Sequence, residues 1–206
     1  MKPPRIAAKD PLNGNKISEI LLALPNHFST PLVSMNALSE ALSGRAYGML
    51  LLILALPNLI PIPAPGLSFV VGAPLMLVTL QMMLGRTYPW MPGFIGNRTI
   101  KTEQLQRLCI RAVPLMKALE RVTSPRLQIL AKPPADRVLA FICMALSLMI
   151  MMPIPFGNAL PAVAICIFAI GLMQRDGLFI LAGLTATLLG IAAISAFIAQ
   201  FIDWLV

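Results

Sequence analysis

The stretch MMPIPFGNALPA (residues 151–162) interrupts a long apolar run with prolines, a glycine and an asparagine. Earlier, the chain does nearly the same in LPNLIPIPAPG (56–66). Both breaks contain Pro-Ile-Pro, at Pro61 to Pro63 and at Pro153 to Pro155. Proline lacks a backbone N–H and ends a helix. Each break is therefore expected to close one apolar helix and turn the chain into the next.

A shift of 92 positions superposes the two regions. Arg45 falls on Arg137, Leu54 on Leu146, Pro61 on Pro153, Val71 on Val163, Leu80 on Leu172 and Gly85 on Gly177. Leucine and valine matches are cheap in an apolar chain, but the arginine, Pro-Ile-Pro and glycine matches together are not. The pattern predicts two copies of one helix hairpin: arginine, apolar helix, break, apolar helix, glycine turn.

The composition says what solvent these helices meet. The chain has 206 residues, is 58% hydrophobic and has a mean hydropathy of +0.82. Charged residues are 12%, against about 25% in soluble domains. The net charge of +8 is unevenly placed. Residues 86–137 carry ten Lys/Arg against Glu103, Glu120 and Asp136. Beyond them the only charges are Arg175, Asp176 and Asp203. A nucleic-acid binder would spread such charge over a polar domain with stacking aromatics. Here it flanks apolar segments, the positive-inside pattern, which assigns 1–45 and 86–137 to the cytoplasm.

The expected fold class is all-α: a polytopic integral membrane protein with two repeated helix hairpins and Pro-Ile-Pro breaks. A C-terminal transmembrane helix and a cytoplasmic basic amphipathic helix complete it. The predicted division is an N-terminal tail and amphipathic stretch (1–34) and a membrane domain (35–206). The latter splits into repeat one (45–85), a basic linker (86–136), repeat two (137–177) and the C-terminal helix (178–206). Residues 1–16 have no apolar core behind their basic residues and are expected to be a disordered tail, not a signal peptide. In the linker, Leu105, Leu108, Ala112, Leu115, Met116, Leu119 and Val122 recur at helical spacing, with a kink or break expected at Pro114.

The helices before the breaks have about fifteen residues, roughly 22 Å, against a hydrocarbon core of about 30 Å. Non-helical backbone at that depth must be covered by protein or line a polar cavity. Interrupted segments at matching places in two halves point to a transport site. The other reading is that these prolines end helices in ordinary periplasmic turns. Candidate pathway residues are Asn58, Pro61, Pro63, Pro153, Pro155 and Asn158, the two asparagines being placed to bond freed carbonyls. Candidate boundary charges are Arg45, Arg86, Arg137, Arg175 and Asp176, the last two as a local pair. Cys109, Cys143 and Cys166 show no ligand spacing and His27 has no ligand partners nearby, so no metal and no cofactor are expected. No nucleophile elbow, phosphate loop or close carboxylate pair points to an enzyme.

SGRAYG (43–48), LPNLIPIPAPG (56–66), LQMMLGR with PWMP (80–92), PIPFGNALPA (153–162) and GLMQRDG (171–177) together resemble the ExoD family of bacterial exopolysaccharide-synthesis membrane proteins. The resemblance covers roughly 35–206, and 1–34 carry no such signal. Gln174 stands where the family pattern leads one to expect an acid. The resemblance implies a multi-pass inner-membrane protein linked to exopolysaccharide production. Combined with the breaks, it leads to the expectation of a small-solute or ion transporter, proton or cation included. The alternative is a non-catalytic accessory subunit of a polysaccharide synthesis or export machine. Expected partners are the lipid bilayer, a second copy in a homodimer and polysaccharide synthesis or export proteins. The dimer rests on the small residues Gly183, Ala186, Gly190, Ala193 and Ala196 of the last segment.

Overall fold

The computed structural model describes residues 16–59, 67–131, 134–151 and 158–205. Pro61, Pro63, Pro153, Pro155 and the N-terminal tail therefore lie outside the described residues. The rest is all-α apart from one two-stranded ribbon, and it forms two compact units. The first unit combines the chain up to Leu42 with Met91–Val122; the second combines Ser43–Trp90 with the chain from Thr123.

In the first unit α1 (Ile17–His27) packs on α6 (Thr102–Val122). Ile17, Ile20, Leu21 and Leu24 of α1 are buried, as are Leu105, Cys109, Val113 and Met116 of α6. The first turn of any helix leaves amide donors without intrahelical partners. Here Glu120 of α6 meets them: its carboxylate accepts from the Ser18 amide at 2.8 Å and the Ser18 hydroxyl at 2.7 Å. An anion at a helix N-terminus is also favoured by the helix dipole. Burial pushes the Cys109 thiol above its usual pKa, so little of it is nucleophilic thiolate. The ribbon pairs β1 (Leu32–Ser34) with β2 (Thr99–Lys101) antiparallel, Val33 opposite Ile100. The short helices α2 (Met35–Leu42) and α5 (Gly93–Gly96) complete the unit. The helix α6 runs unbroken through Pro114, contrary to the expected break. Pro114 and Ile110, whose carbonyl loses its donor, are both on the exposed side, where solvent replaces that bond.

The second unit holds α3 (Arg45–Ala55), α4 (Leu67–Met83), α7 (Ala135–Met151), α8 (Ala159–Gln174) and α9 (Gly177–Leu205). Its helices pair across the sequence: α3 lies on α8, α4 on α7, and α9 on α8. Close approaches fix the directions. A Cβ on Gly48, near the start of α3, would sit 2.8 Å from the Ala169 carbonyl oxygen and 3.0 Å from the Met173 amide nitrogen, near the end of α8. Gly72 approaches Ser147 and Met151 at the end of α7, while Gly85 lies under the Arg137 guanidinium at its start. Both pairs are thus antiparallel. The starts of α3 and α7 and the ends of α4 and α8 share one end of the bundle.

The core is a single cluster including Leu51, Leu75, Leu146, Ile150, Ile165 and Phe168. Buried hydroxyls turn back on their own helices. Thr79 donates to the Leu75 and Met76 carbonyls, Ser147 to Cys143 and Thr187 to Gly183. Such bonds let polar side chains sit in apolar surroundings.

The ends of α4 and α8 are built alike. After α4, Arg86 N–H donates to Gln81 and Gly85 N–H to Met82, with Gly85 at φ +75°. After α8, Asp176 N–H donates to Gly171 and Arg175 N–H to Leu172, with Arg175 at φ +54°. Both are Schellman ends with a left-handed residue. The left-handed position is filled by Gly85 in the first of these ends and by Arg175 in the second. Gly177 is glycine for a different reason: a Cβ there would lie 2.5 Å from the Leu127 carbonyl oxygen.

Gly183 and Gly190 of α9 face α8. A Cβ on Gly183 would meet the Phe168 ring at 2.6 Å, and one on Gly190 lies 3.7 Å from Leu160. Among the described residues no single helix is long and apolar enough to cross a membrane; Met35–Leu42 and Arg45–Leu59 pass that test only together.

Candidate functional site

The apolar bundle carries its polar groups at two ends. At one end, α3 runs into a 3-10 turn at Leu56–Leu59. Pro57 cannot donate in the helical ladder, so the α-helix ends here. The buried Asn58 side-chain amide donates to the Leu54 carbonyl at 3.3 Å. Asn158 occupies the residue before α8, and its backbone carbonyl accepts from Ala162 N–H at 3.1 Å. The 3-10 turn also packs against α8. Each asparagine lies three residues in sequence from a Pro-Ile-Pro.

The opposite end holds the boundary charges. Arg45 and Asp176 are buried, whereas Arg86, Arg137 and Arg175 are exposed. The Asp176 carboxylate accepts from Ser124 N–H at 2.8 Å and Leu178 N–H at 3.0 Å. It thereby caps α9 and fastens residues 123–127 to the α8–α9 turn, where Gly177 N–H donates to the Arg126 carbonyl at 2.7 Å. The local Arg175–Asp176 pair expected from sequence is not how this carboxylate is held.

Three further polar groups lie at this end, and sequence reading passed over all of them as candidate site residues. The Tyr47 hydroxyl and the Nε2 groups of Gln81 and Gln174 are buried with no hydrogen-bond partner among the described residues. Gln81 uses its other atom, Oε1, to accept from Trp90 N–H at 2.6 Å. Arg86 lies within electrostatic reach of Tyr47. An unsatisfied buried donor costs about 1–3 kcal/mol, so three at one end call for water or a polar solute. The available signal was a lone glutamine near the end of the apolar segments that became α4 and α8. A separate crevice between α7, α8 and α9, lined by Leu146, Leu160, Ala164 and Gly190, offers a solute no comparable group. Its Thr187 hydroxyl already donates to Gly183.

Residues 17–196 match the family described as "Exopolysaccharide synthesis, ExoD". The chain belongs to the ExoD family. Protein ExoD of Rhizobium meliloti (strain 1021) is 35% identical over 176 residues, 80% of this chain and 73% of that protein. An uncharacterized protein of Synechocystis sp. is 35% identical over 175 residues, 83% of this chain and 82% of that protein. No solved structure matches the chain. The ExoD match begins at Ile17 rather than near residue 35, so it includes α1. That extension is physically reasonable, because α1 covers the buried face of α6. The stretch GLMQRDG has a structural content: Gln174 is buried, Arg175 takes the left-handed cap, Asp176 caps α9, and Gly177 admits the Leu127 carbonyl.

Proposed function

We propose that this ExoD-family protein is a multi-pass inner-membrane transporter for a small polar solute or ion, built from two parallel copies of one hairpin. The observation that carries this reading is the cross-pairing of α3 with α8 and α4 with α7. Exchange of the two hairpins turns one pair into the other, as expected of a pseudo-two-fold axis along the bundle. Asn58 and Asn158 then belong to one end, and the buried donors of Tyr47, Gln81 and Gln174 belong to the other. Between them the outward side chains are apolar, including Ile53, Phe69, Val70, Phe141, Leu188 and Leu189. Tyr88 and Trp90 follow α4 at the charged end, as aromatic anchors do at a membrane interface. Two hairpins of short helices frame a narrow path, suited to a proton-carrying water chain, a cation or a small solute. Any effect on polysaccharide would be indirect.

Purified protein in liposomes is expected to carry such a flux. Asn58→Ala with Asn158→Ala is expected to lower it at least tenfold without loss of insertion. Unchanged flux would reduce the breaks to helix ends. The second reading, an accessory subunit, draws on the exopolysaccharide description of the family. Stable co-purification with synthesis or export proteins, together with no flux, would favour it. An association of two copies would have to use apolar surface other than Gly183 and Gly190, which face α8.

Topology gives an independent check. The charge bias predicts cytoplasmic 86–137 and a periplasmic C-terminus. Reporter fusions at Ser124 and after Val206 are expected to give opposite signals. Equal signals would require a different number of crossings.

A further inference from the structure

We infer that α6 is a membrane-surface helix that docks an exposed apolar row into an anionic lipid headgroup layer. The inference rests on the membrane reading above and extends it to the first unit. The apolar positions of α6 include two rows, with Ile110, 55% exposed, outside both. Leu105, Cys109, Val113 and Met116 are buried, and α1 packs on this helix. Leu108, Leu115 and Val122 form the second row, 53%, 58% and 75% exposed. They recur every seven residues, so they lie along one side of the helix with a drift of only about 20° per step.

Charge identifies the occupant. Arg111 lies one turn from both Leu108 and Leu115, and Arg107 borders the same edge of the row; both are exposed. Of the two acids on α6, Glu120 is engaged with Ser18, which leaves Glu103 alone. An apolar row bordered by arginines is the pattern of a helix lying in the headgroup plane. A protein partner would more often present acids for the arginines, and water would leave the row uncovered. The tether favours lipid too, because the chain enters the apolar bundle on both sides of this unit.

The test places single tryptophans in full-length protein whose Trp90 and Trp204 are replaced by phenylalanine. The protein is reconstituted in vesicles of phosphatidylcholine brominated on its acyl chains, with or without phosphatidylglycerol. Leu115→Trp is expected to be quenched, and more strongly as phosphatidylglycerol increases. Arg107→Gln and Arg111→Gln are each expected to lower the docked-to-free ratio about fivefold. Phe141→Trp, on the outward side of α7, reports insertion of the bundle. Quenching at position 141 without quenching at 115 would overturn the docking and leave the membrane reading intact; a protein partner would then be the better occupant. No quenching at either position would overturn both. Quenching at 115 that ignores lipid charge and both arginines would overturn the anionic component.

Discussion

Gly48→Ala is expected to destabilise the protein by about 1–3 kcal/mol, although alanine is the better helix former by about 1 kcal/mol. The sign follows from what the new methyl group meets. It would sit 2.8 Å from the Ala169 carbonyl oxygen and 3.0 Å from the Met173 amide nitrogen. Both are backbone atoms of α8, so no change of rotamer relieves the overlap. The helices would have to separate, and the cross-pair that places α3 on α8 would loosen. Gly48→Leu is expected to prevent recovery of monodisperse protein. Two controls isolate the cause. Gly44→Ala meets nothing within 4 Å and is expected to leave stability equal or slightly raised. Gly190→Ala makes only an ordinary 3.7 Å contact with Leu160 and is expected to be close to neutral. Melting midpoints in mild detergent decide the matter. If Gly48→Ala melts with Gly44→Ala, α3 does not lie on α8 as described.

The contrast between these glycines marks how far sequence could be read. Apolar runs, prolines and glycine turns gave the helices of the second unit to within a few residues, because helix ends depend on local chemistry. Leu67–Met83 and Ala159–Gln174 each begin four residues after a Pro-Ile-Pro of the sequence. What each helix touches depends on residues far along the chain. The small row of Gly183 and Gly190 served equally well for a second copy or for α8, and only packing placed Phe168 and Leu160 against it. The ribbon of Leu32–Ser34 with Thr99–Lys101 joins two three-residue strands, each too short for an alternating pattern to register. On α6 the apolar stripe was visible, but α1 covers only part of it. Sequence therefore ranked Leu108, Leu115 and Val122 with the buried row and missed Cys109 and Val113. Tyr47, Gln81 and Gln174 became notable only when their surroundings showed them buried without partners.

Asp176→Ala is expected to lower stability by about 3 kcal/mol or more. The carboxylate is 2% exposed and holds two backbone amides, Ser124 N–H at 2.8 Å and Leu178 N–H at 3.0 Å. A hydrogen bond to a charged group contributes about 1.5–3 kcal/mol. One of these two bonds is also the N-cap of α9, a helix of 29 residues. Asp176→Asn is expected to fall between, because its amide has one oxygen to accept and turns an N–H toward the second donor. Arg175→Gly is expected to gain up to about 1 kcal/mol, since glycine adopts the left-handed cap without the penalty that arginine bears. Local opening should accompany the loss in Asp176→Ala. Residues 123–127 are tied to this turn by Asp176 and by Gly177 N–H on the Arg126 carbonyl, so protease cleavage near Arg126 should rise. The same series separates architecture from transport. A clamp predicts that flux in liposomes follows the folded fraction in all three variants. If Asp176→Asn inserts and melts like the parent protein yet carries no flux, the carboxylate belongs to the pathway. If Asp176→Ala melts like the parent protein, the two amides do not depend on it and the clamp is refuted.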